Sequence, residues 1–258
     1  MKKIIGLFMM IAFCSHFSQG QMKLSLPLDE VTDEPIGTNL TIKTARLANG
    51  VDLQYAEQGI FTGTAVLFLH GLGDSWHSFE TVLAALPHNI HAFAISLRGH
   101  GDSEKPTAGY TMKDFATDVA QFVKVQDLKS VYVVGHSMGG LVAQQFVLDH
   151  PQLTRGMVLI DSDAIFNDNA GFPEFFQETL KLQGSIDKKF MDDFQRSTLA
   201  KPIDPAYYDL LVAEGLKVPA AVFKSGFAGL MQVDFRDELT KIKVPVVIFW
   251  GDRDSMCS

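Results

Sequence analysis

The sequence is 258 residues long, 47% hydrophobic and 20% charged, enough chain for one or two domains around a sizeable apolar core. Its formal charge of −8 argues against a nucleic acid or an anionic membrane surface as partner. It carries no internal repeat, low-complexity tract or long run of like charge, which sets aside solenoids and disordered tails.

Lys2 and Lys3 precede an apolar run from Ile4 to Phe13, and Ser18-Gln19-Gly20 then offers small residues at a cleavage point. This three-part pattern predicts a secretory signal over 1–20 and a secreted or periplasmic protein. The apolar run is about ten residues, too short to span a bilayer, so no integral membrane span is expected. Cys14 raises lipoprotein anchoring as an alternative, but the bulky Phe13 stands where a small residue should precede a lipidated cysteine. Cleavage would leave Cys257 alone, with no internal disulfide to form. Residues 21–39, with Pro27, Pro35 and Gly37, have no clear period and read as an exposed leader.

From Leu40 the pattern becomes regular. Two strand-like runs flank Asn49-Gly50, a strong hairpin signal. Five short apolar runs follow: "AVLFLHG" (65–71), "IHAFAIS" (90–96), "SVYVVGH" (130–136), "RGMVLID" (155–161) and "VPVVIFW" (244–250). Near-continuous apolar strands are what a parallel sheet covered on both faces requires. Helical patterns lie between them. Phe115, Val119, Phe122 and Val123 share one helix face in 111–125, and Thr111 with Asp114 resembles a capping pair. A second helical segment, 138–148, ends before Pro151. The alternation predicts an α/β doubly wound, mostly parallel sheet with the N-terminal hairpin adding antiparallel strands at one edge. It breaks between Ala164 and Lys243, a helical stretch holding nine of the twenty phenylalanines. That stretch reads as a helical cap inserted over the carboxyl edge of the sheet, where open α/β sheets bind ligands. The predicted organisation is a core over 40–163, the insertion over 164–243, and a second piece of core over 244–258.

The central chemical signal is "VVGHSMGG" (133–140). Gly135-His136-Ser137-Met138-Gly139 is G-x-S-x-G between a strand and a helix. A sharp strand-to-helix turn strains the serine backbone and needs glycines at Gly135 and Gly139 to avoid collision. Ser137 is thereby predicted as a nucleophile at a helix start, where amide groups favour a developing oxyanion. His136 alternates with Ser137 along the strand, so its ring is expected to face away and serve structure. "FLHGLGDSW" (68–76) supplies a second part: His70 and Gly71 end the first long strand at the same sheet edge. The backbone N–H groups of Leu72 and Met138 can converge there on one oxygen, with about 10²–10³ in rate at stake per donor. No metal cluster stands out, and "LRGHGDS" (97–103) lacks the G-x-G-x-x-G nucleotide fingerprint, so no cofactor is expected.

Together, "LHGLGDSWHSF", "ISLRGHGDSEKP", "GHSMGG" and "PVVIFWGDRD" resemble the α/β-hydrolase superfamily in its serine-nucleophile, cap-bearing branch, from about Leu40 to the last residue. That branch includes esterases, lactonases, carbon–carbon bond hydrolases and haloperoxidase-like enzymes. The resemblance implies that the triad acid lies in G-x-x-D after the strand that follows the cap, here Asp254. Asp161, or Asp163, is the alternative, since some relatives place the acid at the end of the earlier strand. It also implies that His70 and His100 serve loop geometry and oxyanion architecture, and that a general-base histidine follows the acid. The eight histidines are His16, His70, His77, His88, His91, His100, His136 and His150, and none follows Asp254. In relatives one further strand, the histidine loop and a closing helix come next, so the sequence is expected to be incomplete and the 258 residues alone inactive. The expected activity of the parent protein is hydrolysis of a small or medium apolar ester, lactone or C–C substrate through an acyl-enzyme. A serine nucleophile argues against epoxide or haloalkane chemistry, where the resembling enzymes use aspartate. The alternative is a non-catalytic ligand-binding protein of the same fold, or an inactive fragment. The oligomeric state is not readable.

Overall fold

The computed structural model describes residues 40–168 and 172–254. The expected signal, the leader, Cys14 and Cys257 lie outside the described residues. Seven strands form one sheet: β1 (Thr41–Arg46), β2 (Asp52–Gln58), β3 (Thr64–Leu69), β4 (Ile90–Ile95), β5 (Val131–His136), β6 (Thr154–Ile160) and β7 (Val246–Phe249). Their order is β1-β2-β4-β3-β5-β6-β7. β1 and β2 are the expected hairpin, antiparallel to each other, and β2 pairs antiparallel with β4; every later pairing is parallel.

The apolar runs are continuous because both faces of the sheet are covered. Along β3, Leu67 and Leu69 enter one core cluster while Val66 and Phe68 enter the other. β4 divides the same way, with Phe93 and Ile95 on one side and Ala92 and Ala94 on the other. The second face is covered partly by a short segment that the sequence patterns did not reveal. There a 3₁₀ turn (Trp76–Phe79) runs into helix α1 (Glu80–Leu83) and buries Trp76, Phe79 and Leu83. The first face is covered by α2 (Met112–Val125) and α3 (Met138–Asp149). The expected stripe of α2 is fully buried at Phe115, Val119, Phe122 and Val123. Its start is a reciprocal capping box: the Asp114 amide donates to Thr111 Oγ1 at 3.2 Å, and the Thr111 amide to Asp114 Oδ2 at 2.9 Å.

Among the described residues the insertion holds four α-helices: α4 (Phe172–Leu180), α5 (Lys188–Ser197), α6 (Pro205–Leu216) and α7 (Ala220–Met231). The chain leaves and returns through a narrow neck. Ile165 bridges Asp234 antiparallel, and the Phe235 amide donates to Ala164 O at 2.9 Å. β7 stands at the end of the sheet's order, where Val246, Ile248 and Trp250 are exposed.

Parallel register builds the site. Leu69 lies beside Gly135, Gly135 beside Leu159, and Ile160 beside both His136 and Phe249. The residues that follow these strand ends therefore emerge side by side beneath the insertion: the 70–74 turn, Ser137, Asp161 and the 250–254 turn.

Candidate active site

Ser137 has φ 51 and ψ −121, a backbone conformation that costs a non-glycine residue about 1–3 kcal/mol. The neighbouring glycines permit it. A Cβ on Gly135 would lie 2.3 Å from Gly139 O, and one on Gly139 would lie 2.1 Å from Leu69 O. Glycine at 139 thus lets the start of α3 rest against the end of β3, which brings the serine beside the 70–74 turn. The strain is held from β6: the Ser137 amide donates to Ile160 O at 3.0 Å, and Ser162 Oγ donates to Ser137 O at 2.9 Å.

His70 fixes the turn after β3. The Leu97 amide donates to its Nε2 at 2.9 Å, so the ring proton sits on Nδ1, which donates to Gly71 O at 2.7 Å. The ring is fully buried, and burial holds its basicity well below the usual imidazole range. His100 packs 5.1 Å from it and is depressed to about 4, again chiefly by burial. Leu72 and Met138 flank Ser137 on the turn and on the first position of α3. Among the described residues neither of their amides meets a hydrogen-bond acceptor.

Ser137 opens into a cavity of about 740 Å³. Asp74, His136 and Gln195 are among the polar residues of its wall, with Gly71 beside them. Its roof is Phe166, Phe172, Phe194, Phe227 and Leu230, all from the insertion. Phe175, Phe176, Phe190 and Phe223 pack ring on ring behind them, Phe223 edge-on to Phe194 at 5.3 Å. Both rival acids reach the cavity. Asp161 also holds the neighbouring turn, for its Oδ1 accepts from the Gly251 amide at 2.8 Å, and its own backbone stands at φ 44. Asp254 ends that turn, its amide donating to Gly251 O at 3.0 Å. Asp163 lies off the cavity wall, its Oδ1 accepting from the Ala164 amide. The register thus brings Ser137, Gly71, Leu72, Asp161 and Asp254 together, and leaves Asp163 aside.

Three wall residues escaped the sequence patterns. The pleat argument turns His136 away from Ser137, yet the ring reaches the cavity side. A Cβ on Gly71 would lie 3.4 Å from both His136 Nδ1 and Ser137 Cβ, and 3.1 Å from Asp74 Oδ2. Strand alternation stops holding at 136 because the next residue leaves the β region. Asp74 belongs to the "LGDSW" stretch, so its place was readable but its role was not. Its carboxyl is pushed up by burial, opposed by His136 and by a 2.9 Å hydrogen bond from Gln195 Nε2. Gln195 sits inside a cap helix and left no signal. Among the described residues no group of three or more His, Cys, Asp or Glu is placed to hold a metal, and no helix is long and apolar enough to cross a membrane.

A family model described as alpha/beta hydrolase fold matches residues 64–258. An uncharacterized protein of Mycobacterium tuberculosis is 36% identical over 107 residues, 42% of this chain and 31% of that protein. The chain thus spans about a third of the length of the first curated relatives it matches. Lipase 1 of Psychrobacter immobilis is 26% identical over 85% of this chain and 71% of its own. Among solved structures, an esterase from Exiguobacterium antarcticum superposes with a TM-score of 0.75, covering 84% of this chain and 83% of its own at 21% identity. At that identity the likeness speaks to fold.

Proposed function

The chain belongs to the alpha/beta hydrolase fold family, and from that premise we propose that it is a serine hydrolase acting on a small or medium apolar ester-like substrate. Ser137 Oγ attacks the carbonyl carbon, the C–O bond to the leaving group breaks, and the serine proton goes to that group, which departs as the alcohol; water then cleaves the acyl-serine to the acid and restores the Ser137 hydroxyl. The Leu72 and Met138 amides take the negative charge on the carbonyl oxygen. The observation that carries this reading is the left-handed backbone of Ser137 between β5 and α3, beside a cavity roofed by phenylalanine. The phenyl roof suits an apolar acyl or alcohol group. Relatives described as a lipase and an esterase agree with ester chemistry.

Asp254 is the proposed acid. It lies on the cavity wall and at the position that the family resemblance gives the acid, after the strand that follows the insertion. Family order expects the general base after the acid, and every histidine of this sequence lies at or before His150. Of these, His70 and His100 are neutral and buried, so the reading leaves the base unassigned among these residues. A secreted or periplasmic location, resting on residues 1–20, is part of the same proposal.

A fluorophosphonate probe tests the nucleophile. In the parent protein, for which the activity is expected, intact-mass analysis is expected to show one adduct on the wild type and none on Ser137→Ala. Equal labelling of both chains removes Ser137 from the chemistry.

A further inference from the structure

The turn that carries the Leu72 amide is tied to the core by hydrogen bonds at both ends, and the Leu72 side chain is buried in the first core cluster. His70 Nδ1 holds Gly71 O, and on the far side the Trp76 amide donates to Ser96 Oγ at 3.2 Å. Between them the turn closes on itself, the Asp74 amide donating to Gly71 O at 3.3 Å. Residues 72–74 are instead pressed by three helices of the insertion. From α5, Gln195 Nε2 donates to Asp74 Oδ1 at 2.9 Å, and Gln195 is only 4% exposed. Rings from α5 and α7, Phe194 and Phe223, would each stand 3.2 Å from a Cβ on Gly73, which has φ +79. At Gly215 on α6 a Cβ would lie 2.9 Å from Gly73 O, and at Gly226 on α7 one would lie 3.0 Å from Leu72 Cδ1. Gly215 on the cap and Gly73 on the turn are thus needed for the two to sit this close, and Gly226 adds a tight contact with the Leu72 side chain. The Gln195–Asp74 bond is the directional contact in the set. A buried amide that loses its acceptor costs about 1–3 kcal/mol, so the pair resists separation.

We propose that Gln195 and Asp74 are positioning residues: through their hydrogen bond the docked cap fixes the turn that presents the Leu72 amide to Ser137. The cap is then part of the oxyanion site as well as the roof over it. This inference rests on the reading of Ser137 as nucleophile and of the Leu72 amide as an oxyanion donor.

Gln195→Met keeps the length and removes the N–H. With p-nitrophenyl butyrate it is expected to lower kcat about tenfold, a part of what one oxyanion donor supplies, with KM within about twofold. Asp74→Leu is expected to do the same from the other side. Asp74→Asn, which keeps an oxygen for the Gln195 amide, retains kcat within about threefold of wild type by the same reasoning. A raised KM at unchanged kcat in Gln195→Met overturns the proposal and makes Gln195 a substrate contact. A second readout needs no turnover. The Leu72 amide signal in ¹H–¹⁵N spectra is expected to shift and to exchange faster with solvent in folded Gln195→Met. An unmoved Leu72 signal overturns the proposal even where kcat falls. A moved signal in a protein whose wild type neither turns over the ester nor takes the fluorophosphonate supports the cap-to-turn coupling and sinks the hydrolase reading alone.

Discussion

The elbow around Ser137 and the phenylalanine roof of the insertion face one cavity, but they are built from different material. At the elbow the close contacts are backbone on backbone: Gly139 against Leu69 O, Gly135 against Gly139 O, Ser137 N–H to Ile160 O. In the roof the contacts are ring on ring, at centroid distances of 5.3 Å for Phe166–Phe172, 5.4 Å for Phe175–Phe227 and 5.7 Å for Phe175–Phe194. A backbone contact admits one residue type. A ring contact admits any apolar group of similar volume. The two halves of the site should therefore fail in different ways, and four perturbations separate them.

The largest effect is expected at the elbow. Gly139→Ala puts a methyl group where Leu69 O and His70 O already are. Leu69 is paired with Gly135 in the ladder between β3 and β5, so its carbonyl has little room to give. The expected loss is about 3 kcal/mol or more of stability, the upper range for overpacking, together with loss of fluorophosphonate labelling. Urea denaturation and intact-mass labelling read both. A variant that melts and labels like wild type would mean that the elbow tolerates slack, as the roof does.

That contrast explains what the sequence made legible. Gly135, Ser137 and Gly139 announce themselves because each backbone constraint names its residue. The strands are legible for a related reason: a sheet buried on both faces leaves no room for polar residues, and β3 to β6 read as plain apolar runs. The 76–83 segment stayed hidden because it spans only two short turns, too few for a helical period to show. His136 was misplaced by an alternation rule that stops at the elbow. Gln195 gave no sign because one buried amide on a cap helix looks like any solvent-facing glutamine until a carboxyl stands opposite it. The resemblance implied Asp254 as the acid with Asp161 or Asp163 as the alternative, and parallel register delivers the ends of β6 and β7, with Asp161 and Asp254, to the same cavity.

Acid is expected to act on the elbow side before the roof. His70 and His100 are buried beside the 70–74 turn, and burial depresses both, His100 to about 4 from the ordinary imidazole value of about 6.5. A base with a depressed folded pKa binds its proton more readily when unfolded. Stability is therefore full above about pH 6.5 and falls as pH drops toward 4, by on the order of 3 kcal/mol from His100 alone, with His70 acting in the same direction. Urea midpoints at pH 7.5, 6 and 4.5 follow the loss, and His100→Gln is expected to flatten the slope. A flat profile in the wild type would contradict the burial of these rings.

The roof is expected to bend where the elbow breaks. Phe227 is almost fully buried and edge-on to Phe172 and Phe175. Phe227→Leu keeps an apolar group of similar bulk, so it should cost below about 1.5 kcal/mol. Fluorophosphonate labelling is expected to stay within about threefold of wild type. The ratio of kcat/KM between hexanoate and acetate p-nitrophenyl esters should instead shift by about tenfold, the scale of a changed apolar pocket. Labelling lost in step with Gly139→Ala would mean that the ring supports the serine rather than the substrate.

The smallest effect is expected where the insertion meets the core through charge. Lys217 Nζ lies 2.8 Å from both Asp102 Oδ1 on the core and Glu214 Oε1 on its own helix. The two acids are not equivalent: the Asp102 side chain is 55% exposed and that of Glu214 only 5%. Asp102→Asn removes the solvated half and leaves Lys217 with the buried one. The loss should be about 0.5 kcal/mol, as for other surface pairs. It should vanish near 1 M salt, where the screening length is about 3 Å. Lys217 holds the Asp102 carboxyl below its usual range, so the pair's contribution is present at neutral pH and disappears as pH falls below the ordinary aspartate value of 3.8. Thermal melts of wild type and Asp102→Asn at low and high salt measure it. A loss above about 2 kcal/mol would place the hold on the cap at this outer ion pair. A small loss leaves that hold with the buried rings and the Gln195–Asp74 bond, on the side of the cap that faces the serine.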